Sequence, residues 1–365
     1  MAAGTSGAWS GQRRPGVAVL AGGPSAEHEV SLQTGAEMAA QLRAGGLPAR
    51  PVFITRDNVW HFGAPGGGFD AAARAPGLSL DAALDELARS GETALLALHG
   101  AFGEDGRLQR LFEQRGLRFT GSGSAASEIG MDKDLSKLAA SRLGAHCARH
   151  ELVTLPPGAG AGKVPVNRLL KLIGLPCVAK PVCGGSSVGV GRVRREEELP
   201  PAVLAACAAD PAGRAMVEEW QQGTEVTCGV LRRDGAVIAL PLVSIRPAGD
   251  AFYDYHAKYV AEDTRFDCPA PVSDAVREAI VRVSRGLYEG LELRGVMRAD
   301  FIVRSADDVP VFFELNTLPG FTSHSLVPRA AGVAGISRLD VLLALLADVG
   351  TEPAGSAAAE QGAPA

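Results

Sequence analysis

Apolar and polar positions alternate along the first third of the chain in a way that predicts strands and helices in turn. The apolar run at residues 17–20 ends in Gly22-Gly23, as is typical of a buried parallel strand followed by a tight turn. Apolar runs at residues 52–55 and 94–98 predict two more strands. Helices between them are predicted by apolar residues at helical spacing, namely Leu32, Ala36, Ala39 and Ala40 before the Gly45-Gly46 stop, and Leu108, Leu111 and Phe112. This alternation predicts a doubly wound α/β domain over residues 15–130.

The pattern changes after the Pro- and Gly-rich segment 156–163. Apolar runs at residues 226–231 and 236–240 flank Asp234-Gly235, which predicts an antiparallel hairpin with a tight turn. A long helix is predicted by one apolar face, formed by Val276, Ile280, Val283, Leu287 and Leu291. Two strands follow at residues 296–303 and 309–316, joined across the polar turn 305–308. The second half of the chain is therefore expected to be α+β.

The composition is that of an ordinary globular protein, with 46% hydrophobic and 21% charged residues. A chain of 365 residues is too long for one compact core, so two or three domains are expected. The segments 1–14 and 351–365 are rich in Gly, Ala, Ser or Pro and are expected to be disordered. The net charge of −5 gives no indication of a nucleic-acid partner, although a local cluster of cations can still bind phosphate.

Three features favour a cytoplasmic protein with no membrane partner. No long apolar segment follows Arg13 and Arg14, so a signal peptide is not predicted. The Leu-rich stretch 339–349 is too short and, with Asp340 and Asp348, too charged to span a bilayer. Six scattered cysteines without partnered spacing indicate free thiols in a reducing compartment.

The last predicted pair of strands carries the most informative polar residues. Side chains alternate between the two faces of a strand, so Arg298 and Asp300 share one face, and Glu314 and Asn316 share a face of the partner strand. Carboxylate and amide oxygens suit Mg²⁺, but a solvated sheet face with a salt bridge explains the residues equally well. The apolar residues around these charges favour a buried site over a solvated face. They are Met297, Phe301, Phe312, Phe313 and Leu315.

Three further segments carry candidate chemistry, each with a plainer alternative. Lys180 precedes a Gly/Ser-rich loop at residues 184–189, which can hold phosphate or be only a turn. Glu218 and Glu219 end an apolar strand, with Glu225 soon after, and suit either an adenine nucleotide or a solvated hairpin. Three of the four tyrosines fall within residues 252–259, inside a long irregular segment whose aromatic content favours a lid over disorder.

Several motifs follow one another in a specific order along the chain. They are a glycine turn with Ser-Ala-Glu-His-Glu-Val-Ser at residues 25–31, the loop after Lys180, the Tyr-rich segment, and Glu-Leu-Asn-Thr-Leu-Pro-Gly-Phe-Thr-Ser-His-Ser at residues 314–325. This ordered set resembles the D-alanine–D-alanine ligase family of the ATP-grasp superfamily, over about residues 16 to 348. The resemblance implies an amino-terminal α/β domain followed by a two-lobed ATP-grasp module, with a central lid domain at 131–222 and a carboxy-terminal catalytic domain at 223–350.

The resemblance also implies how ATP and metal are held. Lys133 and Lys180 would contact the ATP phosphates, and Lys258 would move in on the lid towards the transferred phosphoryl group. Glu218 would contact the adenine, and Glu225 would contact the ribose. The family often has lysine where this chain has Glu219, so a contact of Glu219 with the nucleotide would be through its backbone or absent. Mg²⁺, for which Mn²⁺ can substitute, would be held by Asp300, Glu314 and Asn316.

Binding of the two D-alanine substrates is implied in the same way. Glu27 would receive the ammonium of the first D-alanine, with His99 nearby. The carboxylate of the second D-alanine would be bound by Gly320, Ser325 and Leu326. A hydrogen-bonded latch that closes the lid would be formed by Glu27, Ser186 and Tyr259. Cys183-Gly184 departs from the family, because many relatives carry charged residues there.

The implied reaction is ATP-dependent ligation through an acyl phosphate for peptidoglycan synthesis, with Arg298 facing the activated carboxylate and stabilising the oxyanion. Family members are commonly homodimers, so a homodimer is implied. Two alternatives stay open: a sister ligase that uses D-serine or D-lactate as the second substrate, and a non-catalytic ATP-binding protein. A dinucleotide-dependent dehydrogenase is excluded, because the turn at residues 21–25 lacks the GxGxxG spacing.

Overall fold

The computed structural model describes residues 16–185, 188–246 and 264–349, so the terminal segments predicted to be disordered lie outside the described residues. Eleven α-helices are described in these ranges: α1 (His28–Ala44), α2 (Phe69–Ala72), α3 (Leu80–Ser90), α4 (Arg107–Gln114), α5 (Ser124–Met131), α6 (Lys133–Arg142), α7 (Val166–Leu172), α8 (Leu199–Ala209), α9 (Asp274–Gly290), α10 (Leu326–Val333) and α11 (Arg338–Ala347). Two 3₁₀ turns lie at Ala161–Lys163 and Glu196–Glu198.

Sixteen strands are described in the same ranges. They are β1 (Val17–Gly22), β2 (Arg50–Ile54), β3 (Trp60–Phe62), β4 (Gly77–Leu78), β5 (Thr93–Leu96), β6 (His146–Cys147), β7 (His150–Thr154), β8 (Cys177–Pro181), β9 (Gly191–Val193), β10 (Arg214–Glu219), β11 (Gly223–Arg233), β12 (Ala236–Ala239), β13 (Val243–Arg246), β14 (Arg265–Asp267), β15 (Val296–Arg304) and β16 (Pro310–Asn316).

The amino-terminal part is a doubly wound sheet, as predicted. Its strand order is β4-β3-β2-β1-β5, with β1 parallel to both neighbours and β3 and β4 antiparallel at one edge. Because successive side chains of β1 point to opposite faces, Val19 packs with α1 whereas Leu20 packs with α3 and α4. The buried face of α1 differs from the prediction in detail: Met38 and Leu42 are buried, but Ala36 and Ala40 are exposed. The prediction was wrong for these two alanines because a small side chain is tolerated on the solvent-exposed face of a helix as readily as in the core.

The central part is a four-stranded antiparallel sheet in the order β7-β10-β8-β9. One of its faces packs against α7 and α8 through a small apolar core that includes Val203 and Val217. The opposite face of β8 and β10 carries charged side chains. This face is turned towards α6 and β16, as the ion pairs described below show.

The largest sheet has the order β14-β13-β11-β15-β16-β6, with β12 paired to β11. The predicted hairpin is confirmed, and both Asp234 and Gly235 at its turn have the positive φ angles that a tight two-residue turn requires. The predicted long helix is α9, which packs on the sheet through Ile280, Val283 and Leu287. Residues 133–147 also belong to this sheet: β6 pairs with β16 at the edge, and α6 packs against β16.

A register shift in the pairing of β15 and β16 decides which side chains face the cavity. Asp300 pairs with Glu314, but the next residue, Phe301, pairs with Phe312, so Phe313 is left without a partner on β15. One extra residue on a strand is a β-bulge, which redirects the side chains that follow. Phe312 therefore points into the core with Phe301, whereas Glu314 remains on the same face as Asp300.

One apolar cluster joins the amino-terminal and carboxy-terminal parts. Leu42 of α1 packs in it with Val327 of α10 and Leu342 of α11, and these three side chains are nearly inaccessible to solvent. Across the described ranges, no single helix is long and apolar enough to cross a membrane, and α10 and α11 reach that length only as a pair bent by 104°.

Removal of apolar volume from this cluster is expected to destabilise the fold. Leu42→Ala leaves a cavity between α1 and the carboxy-terminal helices, so the free energy of unfolding is expected to fall by about 2–5 kcal/mol. Ala40→Ser, on the exposed side of the same helix, is the control and is expected to change it by about 0.5 kcal/mol or less. Chemical denaturation measures both. Equal effects of the two substitutions would contradict a shared core.

Candidate active site

A cavity of about 630 Å³ lies where the three parts of the chain meet. Ligand sites often lie between domains, because each domain can contribute one wall. The predicted site residues that line this cavity are Glu27, His99, Lys133, Arg298, Glu314, Asn316, Gly320, Ser325 and Leu326. The structure therefore brings together residues that are up to 299 positions apart in the sequence.

Arg298 is held in place by a buried carboxylate on its own strand. Its guanidinium donates to Asp300 through Nε at 2.8 Å and Nη2 at 2.8 Å, which is the bidentate geometry that fixes an arginine fork. Asp300 also accepts hydrogen bonds from Thr227 Oγ1 at 2.6 Å and from Asn316 Nδ2 at 3.1 Å. These bonds come from β11, β15 and β16, so three strands fix the orientation of Arg298.

The donor set around this cluster fits a hard divalent cation. Asp300 and Glu314 pair directly across β15 and β16, so their side chains lie on one face of the sheet. The amide nitrogen of Asn316 is used by Asp300, which leaves its oxygen for another partner. Two carboxylates and an amide oxygen match the preference of Mg²⁺ for a few protein oxygens, with phosphates and water completing its coordination.

A second cluster of charges lies buried between the central sheet and β16. The Oε1 atom of Glu218 lies 2.5 Å from Lys180 Nζ, and its Oε2 atom lies 2.9 Å from Lys137 Nζ. Lys180 Nζ also lies 4.1 Å from the centre of the Phe313 ring, the bulged residue of β16. All three charged side chains are at most 5% exposed.

Burial and pairing shift the pKa values of this cluster in opposite directions. Burial favours the neutral form of Glu218, but the two ammonium groups together outweigh it and lower its pKa to about 2. Burial lowers the pKa of Lys180 to about 8, and repulsion from Lys137 and Lys133 acts in the same direction against the attraction of Glu218. Lys180 therefore loses its proton more readily than an ordinary lysine does.

The Gly/Ser-rich loop at residues 184–189 is the phosphate-loop candidate, and charged side chains hold its first residues through hydrogen bonds. Lys133 Nζ donates to the carbonyl oxygen of Gly184 at 2.7 Å. Asp132, which caps the start of α6, accepts from Arg214 Nη1 at 2.9 Å. The backbone N–H of Cys183 donates to Asp210 at 2.7 Å, so the two residues that depart from the family are anchored through their main chain.

Glu27 forms the wall of the cavity next to the Gly/Ser-rich loop that follows Lys180. It lies at the start of α1, and its Oε2 atom is so close to Gly100 and Gly185 that a Cβ atom there would lie 2.7 Å and 2.9 Å from it. Such distances are shorter than van der Waals contact, so both positions require glycine while Glu27 keeps this orientation. Gly185 belongs to the Gly/Ser-rich loop, so Glu27 lies beside the segment that was predicted to bind phosphate.

His99 lies behind Glu27 and is almost completely buried. Its Nε2 atom lies 3.0 Å from Thr34 Oγ1, and its Nδ1 atom lies 3.8 Å from Glu104 Oε1. Burial disfavours the charged imidazole, but Glu104 and Glu27 more than offset this and raise the pKa of His99. The two carboxylates therefore favour the protonated form of His99 more than an ordinary site does.

The far wall of the cavity is the turn before α10. Ser325 Oγ accepts a hydrogen bond from the Thr322 backbone N–H at 3.0 Å. A Cβ atom on Gly320 would lie 2.9 Å from the same oxygen, so the absence of a side chain lets the two residues approach. Leu326 begins the helix, whose first N–H groups point in the direction of this turn.

Not every predicted residue lines the cavity. Asp300, Lys180 and Glu218 lie behind its wall, and Glu225 lies on the same face of β11 as Thr227. The side chain of Glu219 instead accepts a hydrogen bond from Arg149 Nε at 2.6 Å. The predicted residues Ser186, Lys258 and Tyr259 lie outside the described residues.

Three charged or polar residues of the site were missed in the sequence. Lys137 could have been found, because it follows Lys133 by four positions and such a spacing places both on one helix face. Thr227 and Glu104 carry no local signal. They reach Asp300 and His99 only through the pairing of distant segments.

The lowered pKa of Glu218 predicts a specific loss of stability in acid. A carboxylate whose folded pKa is about 2 stabilises the fold above its ordinary pKa of 4.5, and this contribution is lost as the pH falls towards 2. The stability advantage of the wild type over Glu218→Gln is therefore expected to shrink by roughly 2 kcal/mol between pH 5 and pH 3. Urea denaturation across this range measures it, with the exposed-site variant Glu29→Gln as control. An advantage that does not change with pH would contradict the buried ion cluster.

Comparison with known proteins places the chain in a family. The model described as D-ala D-ala ligase N-terminus matches residues 16–122, and the model described as D-ala D-ala ligase C-terminus matches residues 157–347. The D-alanine–D-alanine ligase of Ralstonia pickettii (strain 12J) is 39% identical over 337 residues, covering 92% of this chain and 91% of the relative. That of Anaeromyxobacter dehalogenans (strain 2CP-1) is 42% identical over 333 residues, covering 91% and 95%.

Solved structures agree with this grouping. The VanG D-Ala:D-Ser ligase of Enterococcus faecalis superposes with a TM-score of 0.74 at 26% identity, covering 92% of this chain and 99% of that one. The predicted fold is thereby confirmed, an amino-terminal α/β domain followed by an ATP-grasp module. With both family models matched in order and relatives near 40% identity over nine-tenths of its length, the chain belongs to the D-alanine–D-alanine ligase family.

Proposed function

We propose that the chain joins two D-alanine molecules into D-alanyl-D-alanine, with conversion of one ATP to ADP and phosphate, for peptidoglycan synthesis. The observation that carries the proposal is Arg298, a guanidinium fixed by Asp300 at the wall of a cavity that Lys133 and Glu27 also line. A fixed cation is what a reaction needs when negative charge develops on oxygen. Membership of the family supports the same reaction.

The proposed chemistry has two steps. A carboxylate oxygen of the first D-alanine attacks the terminal phosphorus of ATP, and ADP leaves, which gives an acyl phosphate. The amine nitrogen of the second D-alanine then attacks the carbonyl carbon, loses a proton, and displaces phosphate. Arg298 is positioned to stabilise the oxyanion of this second step, since its orientation is set by three strands before any substrate binds.

Other residues bind and orient the substrates. Lys133 and Lys180 would neutralise phosphate charge, and Glu27, with His99 behind it, would bind the first ammonium group. Gly320, Ser325 and the start of α10 offer N–H and hydroxyl groups to the second carboxylate. Mg²⁺ held by Asp300, Glu314 and Asn316 would supply charge neutralisation at the phosphates when bound.

A ligase that makes D-alanyl-D-serine is the second candidate, because one of the similar structures is a D-Ala:D-Ser ligase. Identity reaches 39–42% with two relatives that carry the name D-alanine–D-alanine ligase, against 26% with the D-Ala:D-Ser ligase. This difference favours D-alanine at both positions. We also propose a cytoplasmic location, where ATP is available, and a homodimer, as the family resemblance implies.

The reaction is tested with the purified full-length chain, ATP, Mg²⁺ and D-alanine. ADP and D-alanyl-D-alanine are expected to appear together, as measured by a coupled ADP assay and mass spectrometry, and neither is expected with L-alanine. Added D-serine or D-lactate should leave D-alanyl-D-alanine as the main product. A mixed product in its place would favour a sister ligase, and ATP binding without turnover on any substrate would contradict a ligase.

Arg298→Lys is expected to lower kcat by about 100-fold or more. Lysine keeps the charge but cannot form the bidentate pair with Asp300, so the cation is no longer held where the oxyanion develops. The matched control is Arg285→Lys on the exposed face of α9, which is expected to keep wild-type kcat. Steady-state kinetics at saturating ATP and D-alanine measure both. A kcat within threefold of wild type for Arg298→Lys would contradict the assigned role.

A further inference from the structure

The buried cluster between the central sheet and β16 contains two cations and one anion. Each carboxylate oxygen of Glu218 has its own partner, Lys180 at one oxygen and Lys137 at the other. Across residues 16–185, 188–246 and 264–349, no other carboxylate lies within 4 Å of either ammonium group. With all three groups ionised, the cluster carries one surplus positive charge in a place that water hardly reaches.

The two lysines are attached to different parts of the fold. Lys180 and Glu218 are diagonal neighbours on adjacent strands of the central sheet, β8 and β10. Lys137 lies on α6, which packs on β16 of the large sheet, and its Nζ atom donates to the carbonyl oxygen of Phe312 at 3.4 Å. Lys137 is therefore anchored independently of the sheet that carries Glu218 and Lys180.

We infer that Lys137 is a positioning residue that acts as the permanent counterion of Glu218 and so leaves Lys180 free to bind the phosphates of ATP. The inference rests on the proposed use of ATP. An incoming polyphosphate competes with Glu218 for Lys180. A carboxylate with two cations can release one and stay paired, whereas a carboxylate with a single cation would be left as an unpaired buried charge, which is strongly unfavourable.

Removal of Lys137 is therefore expected to trap Lys180. In Lys137→Met, which keeps the length and the apolar stem of the side chain, Glu218 and Lys180 form a neutral pair that ATP must break. We expect the dissociation constant for ATP to rise at least tenfold. The apo protein is expected to keep its thermal midpoint, because the remaining pair is balanced in charge. Lys137→Arg keeps the cation and is expected to bind ATP within about threefold of wild type.

A second substitution separates this role from simple packing. In Lys137→Met/Glu218→Gln the neutral amide no longer holds Lys180, so affinity for inorganic tripolyphosphate, which has no adenine for Glu218 to contact, is expected to recover at least threefold relative to Lys137→Met. If Lys137 only filled space, the removal of a second buried group would weaken binding further. The sign of the second effect therefore distinguishes a counterion from a packing residue.

Isothermal titration of the full-length chain with ATP and Mg²⁺ provides the measurement, with inorganic tripolyphosphate as a probe that lacks the base. Lys171→Met, an exposed lysine of α7, is the control and should bind as the wild type does. A wild-type affinity in Lys137→Met, or a further loss in the double variant, would overturn the inference while leaving the proposed reaction intact. Loss of the fold in both Lys137→Met and Lys137→Gln would also overturn it. A wild-type chain that binds no ATP would overturn the proposed function itself.

Discussion

The packing of α1 against α10 and α11 is the constraint on which the cavity depends. Glu27 lies at the start of α1, and Ser325 immediately precedes α10, so the distance between these two walls is set by the apolar side chains between the helices. The cluster has no chemistry of its own. It nevertheless determines that the acidic amino-terminal wall faces Arg298 and Asn316 on the large sheet. A site assembled from distant segments inherits its precision from the core that joins them.

Charge is distributed unevenly around this rigid frame. Asp300 accepts hydrogen bonds from three side chains, and these bonds fix the orientation of Arg298. The neighbouring cluster at Glu218 is instead over-supplied with cations. Both clusters lie next to the cavity, in surroundings where water screens charge poorly. In the proposed reaction, the phosphates of ATP would meet the surplus cation of the Glu218 cluster, and their binding would relieve an imbalance that the fold already contains.

Much of this arrangement follows from the sequence, and the exceptions have physical causes. Alternation along a strand is a local property, so the shared faces of Arg298 with Asp300 and of Glu314 with Asn316 could be predicted. The bulge at Phe313 could not, because it exists only in the pairing of two strands. Lys137 was within reach, four residues after Lys133 on a helix. Thr227 and Glu104 were not, since long-range packing alone brings them to their partners.

The contact of Glu27 with Gly100 and Gly185 links positions that combinatorial mutagenesis would treat as separate. A Cβ atom at either glycine would displace the carboxylate of Glu27, which is the free end of a flexible side chain, so the first effect of such a variant falls on the orientation of Glu27. Single-site libraries would therefore record at the two glycines a defect whose cause lies at residue 27. Gly100 carries a second constraint that no change at residue 27 removes, because its φ of +69° disfavours any L side chain.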